Sequence, residues 1–353
     1  SDHKDLTMTP FYSPKTRTLE FEYRQAYQSG WLNFKGAVSN DSLLPDTGRG
    51  YIFGTGSFDL GRHFKLGVQV QAVRDKTYLF DYDYAELDRL NSNIDLTRAS
   101  REETIEMRLS SFNSLRSSDD NSTEPTIVAE IVQQLRYFPN LIGGESGLRA
   151  SALGSYRYSD VNTDFDSDGE VDGYDTLRLS LDTDWQRNWT FQNGFIFDLD
   201  TELSLSYYDI QQHFSSKSDI LVNTSAASAG LRWPLIRKNN DGSTAVLEPH
   251  IQFASVSING SDVPNQDSTR VEFDEGNLFK FNRAPGYDLT ETGFHINVGL
   301  KGKSYDVNGG QIGWEIGKVM RAKDTSFSYS SGLSDKSSDW LIATNIDHVS
   351  GIE

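Results

Sequence analysis

A two-residue rhythm of apolar and polar side chains, sustained over one strand-length segment after another, limits what this chain can fold into. Phe64, Leu66, Val68, Val70 and Ala72 alternate with Lys65, Gly67, Gln69 and Gln71. Leu177, Leu179, Leu181 and Trp185 alternate with Arg178, Ser180, Asp182 and Asp184. Phe195, Phe197, Leu199, Leu203, Leu205 and Tyr207 alternate with Asp198, Asp200, Glu202, Ser204 and Ser206. Successive strand side chains point to opposite faces, so each segment has one oily and one wet face. The segments run about 9–13 residues, the reach of a tilted strand across a bilayer.

No stretch approaches the roughly 20 apolar residues of a spanning helix. The negative mean hydropathy would otherwise read as soluble. A membrane β-barrel escapes that test, because half of every strand is polar and its loops are long. Hydrophobic residues make up 36% of the 353, low for a packed core, whereas 16 Tyr and 20 Phe suit strands and interfacial girdles. A net charge of -18 with no basic stripe excludes nucleic acid as a partner. The absence of cysteine excludes disulfides and thiolate chemistry. The chain opens on Ser1 and ends Ser350-Gly351-Ile352-Glu353, without the aromatic last residue usual in bacterial outer-membrane barrels. We therefore expect an exported fragment.

About sixteen strands are expected, near 5–12, 17–27, 31–39, 50–59, 62–73, 94–100, 102–113, 126–138, 146–157, 174–187, 194–209, 225–236, 244–256, 291–303, 310–320 and 338–348. Short connections such as Gln28-Ser29-Gly30, Gly61-Arg62, Gln192-Asn193-Gly194, Asn239-Asn240-Asp241-Gly242 and Asn308-Gly309-Gly310 carry the residues that accept positive φ in tight hairpins. Long connections span 40–49, 74–93, 114–125, 158–173, 210–224, 257–290 and 321–337. Short and long take turns through most of the chain, as short periplasmic turns and long external loops do in outer-membrane barrels. Trp31, Trp185, Trp189, Trp233, Tyr156, Tyr158, Tyr207 and Tyr208 lie near strand ends and suit two aromatic girdles. The fold class read from these signals is all-β, an antiparallel transmembrane β-barrel. A soluble all-β binding protein, whose strands alternate identically with the apolar face inward, is the rival from another class.

Residues 247–301 carry an ordered set of pieces: Leu247-Glu248-Pro249, Pro264-Asn265, Asp267-Ser268, Phe273-Asp274, Asn277-Leu278-Phe279, Asn282-Arg283, Gly286-Tyr287-Asp288, then Glu291, Gly293 and a strand over 295–300. In order and spacing they resemble the C-terminal outer-membrane β-barrel of the lipopolysaccharide-assembly family LptD, also called OstA. Weaker likeness covers residues 5–12 with 20–24, 74–84, and 173–178 with Trp185. The resemblance implies a partial barrel, about 16 of about 26 strands, with the N-terminal periplasmic jellyroll and the closing C-terminal strands absent. It implies a translocon component, not an enzyme, that receives lipopolysaccharide from a periplasmic LptA-like bridge, holds an LptE-like lipoprotein plug, and releases its cargo into the outer leaflet through a polar lumen and a lateral gate. The sequence departs from the family pattern in lacking the cysteines that staple the domains in many members.

Pro10 interrupts residues 6–12, and a proline cannot donate a ladder hydrogen bond. The resemblance implies a lateral-gate role for it; a strand-end proline beside a turn is the plainer reading. The strand faces predict a hydrated lumen lined by Arg178, Asp182, Asp198, Asp200, Glu202 and Glu248, with Leu177, Leu179, Phe195 and Phe197 toward lipid. The 257–290 loop holds too many apolar residues to hang free. We expect it to fold over the lumen or the rim, with Asp274, Asn282, Arg283 and Asp288 fixing its shape. Pro264, Asn265, Asp267, Asn277, Phe279 and Gly286 complete its motif. Asp164, Asp166, Asp168, Glu170, Asp172 and Asp175 follow calcium-loop spacing, with Gly169 at the sixth position but Asp175 where a bidentate Glu is usual. A Ca2+ site and a solvated acidic loop are both open, and no other cofactor is implied. The six histidines are scattered, with no His-Glu-x-x-His and no Gly-x-Ser-x-Gly, so nothing marks an enzyme. A passive diffusion porin, with an inward loop of opposed charges, is the alternative function.

Overall fold

The computed structural model describes residues 3–45, 47–164, 171–213, 218–260, 263–265, 267, 270–307, 309–325 and 327–347. Among the described residues seventeen strands fall in one sheet. They are β1 (Lys4–Tyr12), β2 (Thr16–Tyr27), β3 (Gly30–Asp41), β4 (Arg49–Gly61), β5 (Phe64–Val73), β6 (Arg89–Ala99), β7 (Glu103–Ser114), β8 (Ile127–Tyr137) and β9 (Glu145–Tyr156). There follow β10 (Asp175–Thr190), β11 (Ile196–Gln211), β12 (Asp219–Arg232), β13 (Leu235–Lys238), β14 (Thr244–Asn259), β15 (Gly293–Tyr305), β16 (Gln311–Arg321) and β17 (Leu341–Asp347). Every register defined between them is antiparallel, from β1–β2 through β7–β8 and from β12–β14 through β16–β17. No register joins β1 to β17 among the described residues.

The strand above the expected sixteen is β13. The Trp233 N–H bonds the Pro249 oxygen, but Pro249 has no N–H to return, so the ladder of β12 with β14 ends at Arg232 opposite His250 and resumes at Leu235 opposite Leu247. One expected strand thus becomes two. The connection expected over 210–224 shrinks to 212–218, because β11 and β12 run on past the apolar stretch. That expected over 74–93 shrinks to 74–88, with one helical turn, α1 (Tyr78–Asp81), inside it.

The chain packs as two units, each described by itself. The first comprises Ser1–Leu135, Arg149–Ser180 and Tyr207–Asp219. There the 74–88 loop lies on one face of β2, β3 and β4. The Tyr78 hydroxyl meets Ser39 Oγ at 2.6 Å, and the Tyr84 hydroxyl donates to Glu20 at 2.8 Å. Arg49, its side chain fully buried, donates to Asp41, Asp75 and Asp81 at 3.2, 2.7 and 2.7 Å. The Arg49 guanidinium, chiefly through its hydrogen bonds, holds the Asp75 carboxyl below the usual carboxylate range. A buried guanidinium needs this many partners to offset its desolvation.

The second unit comprises Arg136–Leu148, Leu181–Ser206 and Ile220–Glu353. The described part of its loop after β14, above all 270–292, lies on the face of β14–β16 that carries Gln252, Asn297 and Arg321. In each unit we call the loop-bearing face covered and the opposite face bare.

The two faces invert the usual rule of burial. Leu177, Leu179 and Leu181 of β10 are 41%, 45% and 50% exposed, while Arg178 and Ser180 between them are 7% each. Leu203 and Leu205, Phe253, Phe294, Ile312, Ile316 and Met320 are likewise large, apolar and exposed. An exposed apolar face of this kind on each unit needs hydrocarbon against it. At its edge Phe195 stacks on Trp233 with centroids 4.6 Å apart, and Trp189 meets Phe197 at 5.6 Å. Trp31 departs from the expected girdle. It stands opposite Ala26 in the β2–β3 register and so shares the covered face with Ser39.

Replacing Leu179 by Arg is expected to lower unfolding stability in lipid vesicles by about 2–4 kcal/mol if the site lies near the midplane. Denaturant titration checks it, and an unchanged midpoint would mean the faces are assigned backwards.

Candidate functional site

The candidate site is the covered face of the second unit together with the loop laid on it. The loop is shaped by its own polar residues. Asp267 accepts the backbone N–H groups of Tyr287 and Asp288 at 2.8 and 3.0 Å, and its own N–H reaches the Asp288 carboxylate at 3.3 Å. A Cβ at Gly286 would stand 2.1 Å from Asp267 Oδ1, so only glycine allows that clasp. Asn277 accepts from the Asp274 N–H at 3.1 Å and donates to the Glu272 carbonyl at 2.7 Å. Asn282 accepts from the N–H groups of Ala284 and Glu291 and donates to the Leu289 carbonyl at 2.8 Å. Side-chain amides and carboxylates here replace the ladder that a strand would provide.

Two apolar residues at the loop's centre then seat on the wall. Gly299 and Gly317 face each other in the β15–β16 register. A Cβ at Gly317 would lie 2.3 Å from Leu278, and one at Gly299 would lie 2.9 Å from Phe279. The missing side chains form a socket for the loop. Leu278, fully buried, packs with Val319 and Leu341, and Phe273 and Phe279 complete the cluster. Phe279 also stacks on His250, ring centroids 3.7 Å apart. Burying one such leucine contributes about 1.5–3 kcal/mol.

Beside the socket runs a buried polar chain. Arg283 donates to Glu291 at 2.7 Å, to the Leu278 carbonyl at 2.8 Å and to Asn297 Oδ1 at 2.7 Å. Arg321 at the end of β16 donates to the other Glu291 oxygen at 2.6 Å. Asn297 passes the chain to Gln252 at 2.7 Å, Gln252 to Ser228 at 3.1 Å, and Ser228 to Asp200 at 3.0 Å. Burial alone would push the Glu291 carboxyl up, but the two guanidinium groups overcome it and hold it below the ordinary glutamate range. Loop, β16, β15, β14, β12 and β11 are thereby tied in one line.

The lumen-lining candidates of this unit all meet polar neighbours on this face. Asp182 accepts from Ser204, Asp198 pairs with Arg232 at 2.8 Å, and Asp200 ends the polar chain. Glu202 and Asp184 line a cavity of about 400 Å³ closed on one side by Phe279 and Lys280. Glu248 is four residues before Gln252, hence on the same face of β14. Arg178 belongs to the first unit, where it is buried. Of the calcium candidates, Asp166, Asp168 and Glu170 lie outside the described residues. Among the described residues no three acidic or histidine side chains form a cation cage. Asp175 instead accepts the Arg157 N–H at 2.8 Å as β10 begins.

Sequence reasoning missed Arg321, Asn297, Gln252 and the glycine socket. A strand-interior glycine signals close approach of another segment, and Gly299 and Gly317 carried that signal. Nothing local marks Arg321 as the partner of Glu291, because the pairing spans the whole 292–320 interval.

Glu291→Gln leaves two buried guanidinium groups uncompensated and is expected to destabilise the loop by about 3–5 kcal/mol. Faster amide exchange over 270–292 is the readout. Gly317→Ala drives a methyl into Leu278 and is expected to cost about 1–3 kcal/mol on the same measure. Because the Glu291 carboxyl titrates low in the folded chain, its contribution is fully present above the ordinary glutamate pKa of about 4.3 and is lost as pH falls through the lower folded value. Loop protection should therefore stay flat from pH 7 to about 5 and fall only in stronger acid.

No curated protein matches the chain in sequence. Among solved structures it aligns with the in-vitro folded trimer form of OmpT, an outer membrane protein of Vibrio cholerae, at 10% identity over 98% of this chain and 97% of that one, TM-score 0.34. Pseudomonas aeruginosa OccK2 (OpdF) in complex with glucuronate aligns at 11% identity over 98% and 96%, TM-score 0.29. A bacterial polysaccharide outer membrane secretin aligns at 8% identity over 94% and 89%, TM-score 0.30. Likeness at these scores carries no argument. The family comparison does: residues 47–353 match LptD, the LPS transport system D family. With its antiparallel strands, its bare apolar face and a match over most of its length, the chain belongs to the LptD family, the lipopolysaccharide-transport barrels of the bacterial outer membrane.

Proposed function

We propose that this chain forms part of a translocon that inserts lipopolysaccharide into the outer leaflet. The sugars pass along the polar covered face, and the lipid chains leave through a lateral gate. No bond is made or broken. The match of residues 47–353 to the LptD family carries this reading. The geometry agrees with it, since one face offers hydrated carboxylates and amides and the other offers hydrocarbon-compatible side chains. An LptE-like lipoprotein plug and a periplasmic LptA-like bridge are the protein partners this reading requires. Calcium bound near Asp164 and Asp172 would suit an external loop among anionic lipopolysaccharide head groups.

The gate role of Pro10 has support in the β1–β2 ladder. Hydrogen bonds from Ala26 N to His3 O and from Ser13 N to Thr16 O, both 2.8 Å, fix which residues of β1 bond to β2. Counting in twos, these are Asp5, Thr7, Thr9 and Phe11. Pro10, opposite Leu19, falls between them, so its missing N–H costs the β1–β2 pair nothing. What it removes is a donor from the other edge of β1, the edge at which a gate would open. A porin reading draws less support. The charges of the inward loop, Arg283 and Glu291, are buried against each other and Arg321 and do not line water.

Photo-crosslinking groups at Glu202 and Glu248 are expected to trap lipopolysaccharide in growing cells, while one at Leu203 on the bare face traps none. Crosslinks confined to the bare face would overturn the lumen route. Pro10→Ala restores an edge donor and is expected to slow the arrival of new lipopolysaccharide at the cell surface, read by pulse labelling.

A further inference from the structure

The connection between β8 and β9, residues 138–144, is short and should be polar if it only turned the chain. It reads Phe138-Pro139-Asn140-Leu141-Ile142-Gly143-Gly144. Leu141 is 97% exposed, with Phe138 at 58% and Ile142 at 50%. Its position is fixed by β10. Trp185 and Arg187 are four and six residues after Leu181 and so lie on the bare face with it. Trp185 Nε1 donates to the Gly143 carbonyl at 2.9 Å, and the Arg187 guanidinium donates to the Ile142 carbonyl. Gly143 and Gly144 have φ of 63° and 78°, and a Cβ at Gly144 would stand 2.4 Å from the Gln186 carbonyl. The turn is therefore bent outward and laid against the bare face of β10. A free Leu-Ile pair is held up beside an aromatic edge.

We propose that this turn is an interfacial anchor. Leu141 and Ile142 enter the acyl region of the adjoining phospholipid leaflet, and Arg187 sits at the depth of the lipid phosphates. The patch continues the apolar bare face of Leu181, Trp189 and Phe197. A lipid occupant also fits the charge. The Arg187 guanidinium lies 4.9 Å over the Trp189 ring and has no carboxylate partner among the described residues, the arrangement of a cation reaching for a head group from a girdle. Both glycines and the Trp185 hydrogen bond hold the turn in place before lipid arrives. The proposal rests on the bilayer placement of the bare face, and the test separates the two.

The chain has no cysteine, so single nitroxide labels are unambiguous. Labels at Leu141→Cys, at Leu179→Cys on the bare face and at Asp241→Cys in an exposed turn are compared in proteoliposomes of phosphatidylethanolamine and phosphatidylglycerol. The anchor predicts an oxygen-over-nickel collision ratio at 141 several-fold above that at 241 and on the side of 179. Adding Trp185→Phe is expected to lower the ratio at 141 toward that at 241 and leave 179 unchanged. A water-like ratio at 141 with a lipid-like one at 179 overturns the anchor alone, as does a label at 141 shielded from both reagents by a second copy. A water-like ratio at both sites overturns the bilayer placement as well.

Discussion

In hydrocarbon an unpaired backbone N–H or C=O has no water to turn to, and this chain is arranged around that constraint. In the defined registers each strand pairs antiparallel with the next in sequence, except that β12 pairs with β14 past the short β13, so ladder partners lie near in the chain. Once the backbone is satisfied within the sheet, side chains are free to sort by solvent. Leucines and isoleucines take the bare face, and arginines, carboxylates and amides take the covered one. Where the ladder is interrupted, at Pro249, a carbonyl is still used: the Trp233 N–H reaches the Pro249 oxygen at 3.1 Å.

With water and polar groups on the covered side, buried charge becomes affordable only in closed circuits. Arg49 meets three carboxylates, and Glu291 meets two guanidinium groups. Both circuits join a loop to the sheet beneath it, so in each unit the long loop is held by electrostatics that breaking one partner would strongly unbalance. In the second unit the Leu278 socket adds shape to charge.

The strand faces were legible in the sequence because alternation is a local signal that hydrocarbon on one side and polar surroundings on the other both reinforce. In the 270–292 segment Asn282, Arg283 and Asp288 are hydrogen-bonded through their side chains and Asp274 through its backbone, partners all close in sequence. What could not be read was pairing at a distance. Arg321 with Glu291, Asn297 with Gln252, and Arg49 with Asp75 and Asp81 depend on register, which alternation leaves free by multiples of two. Trp31 was misplaced for a related reason. A tryptophan near a strand end suits a girdle, but the count from Ser39 puts it on the other face.

The paired glycines at 299 and 317 have one more consequence. A recess made of absent side chains has no rotamers, so the two glycine positions surrender no side-chain entropy when Leu278 enters between them. At these two positions the ordering required for docking falls on the loop. The strength of that seat is thus set by how far the loop is prefolded by Asp267, Asn277 and Asn282, while the wall acts as a fixed mould.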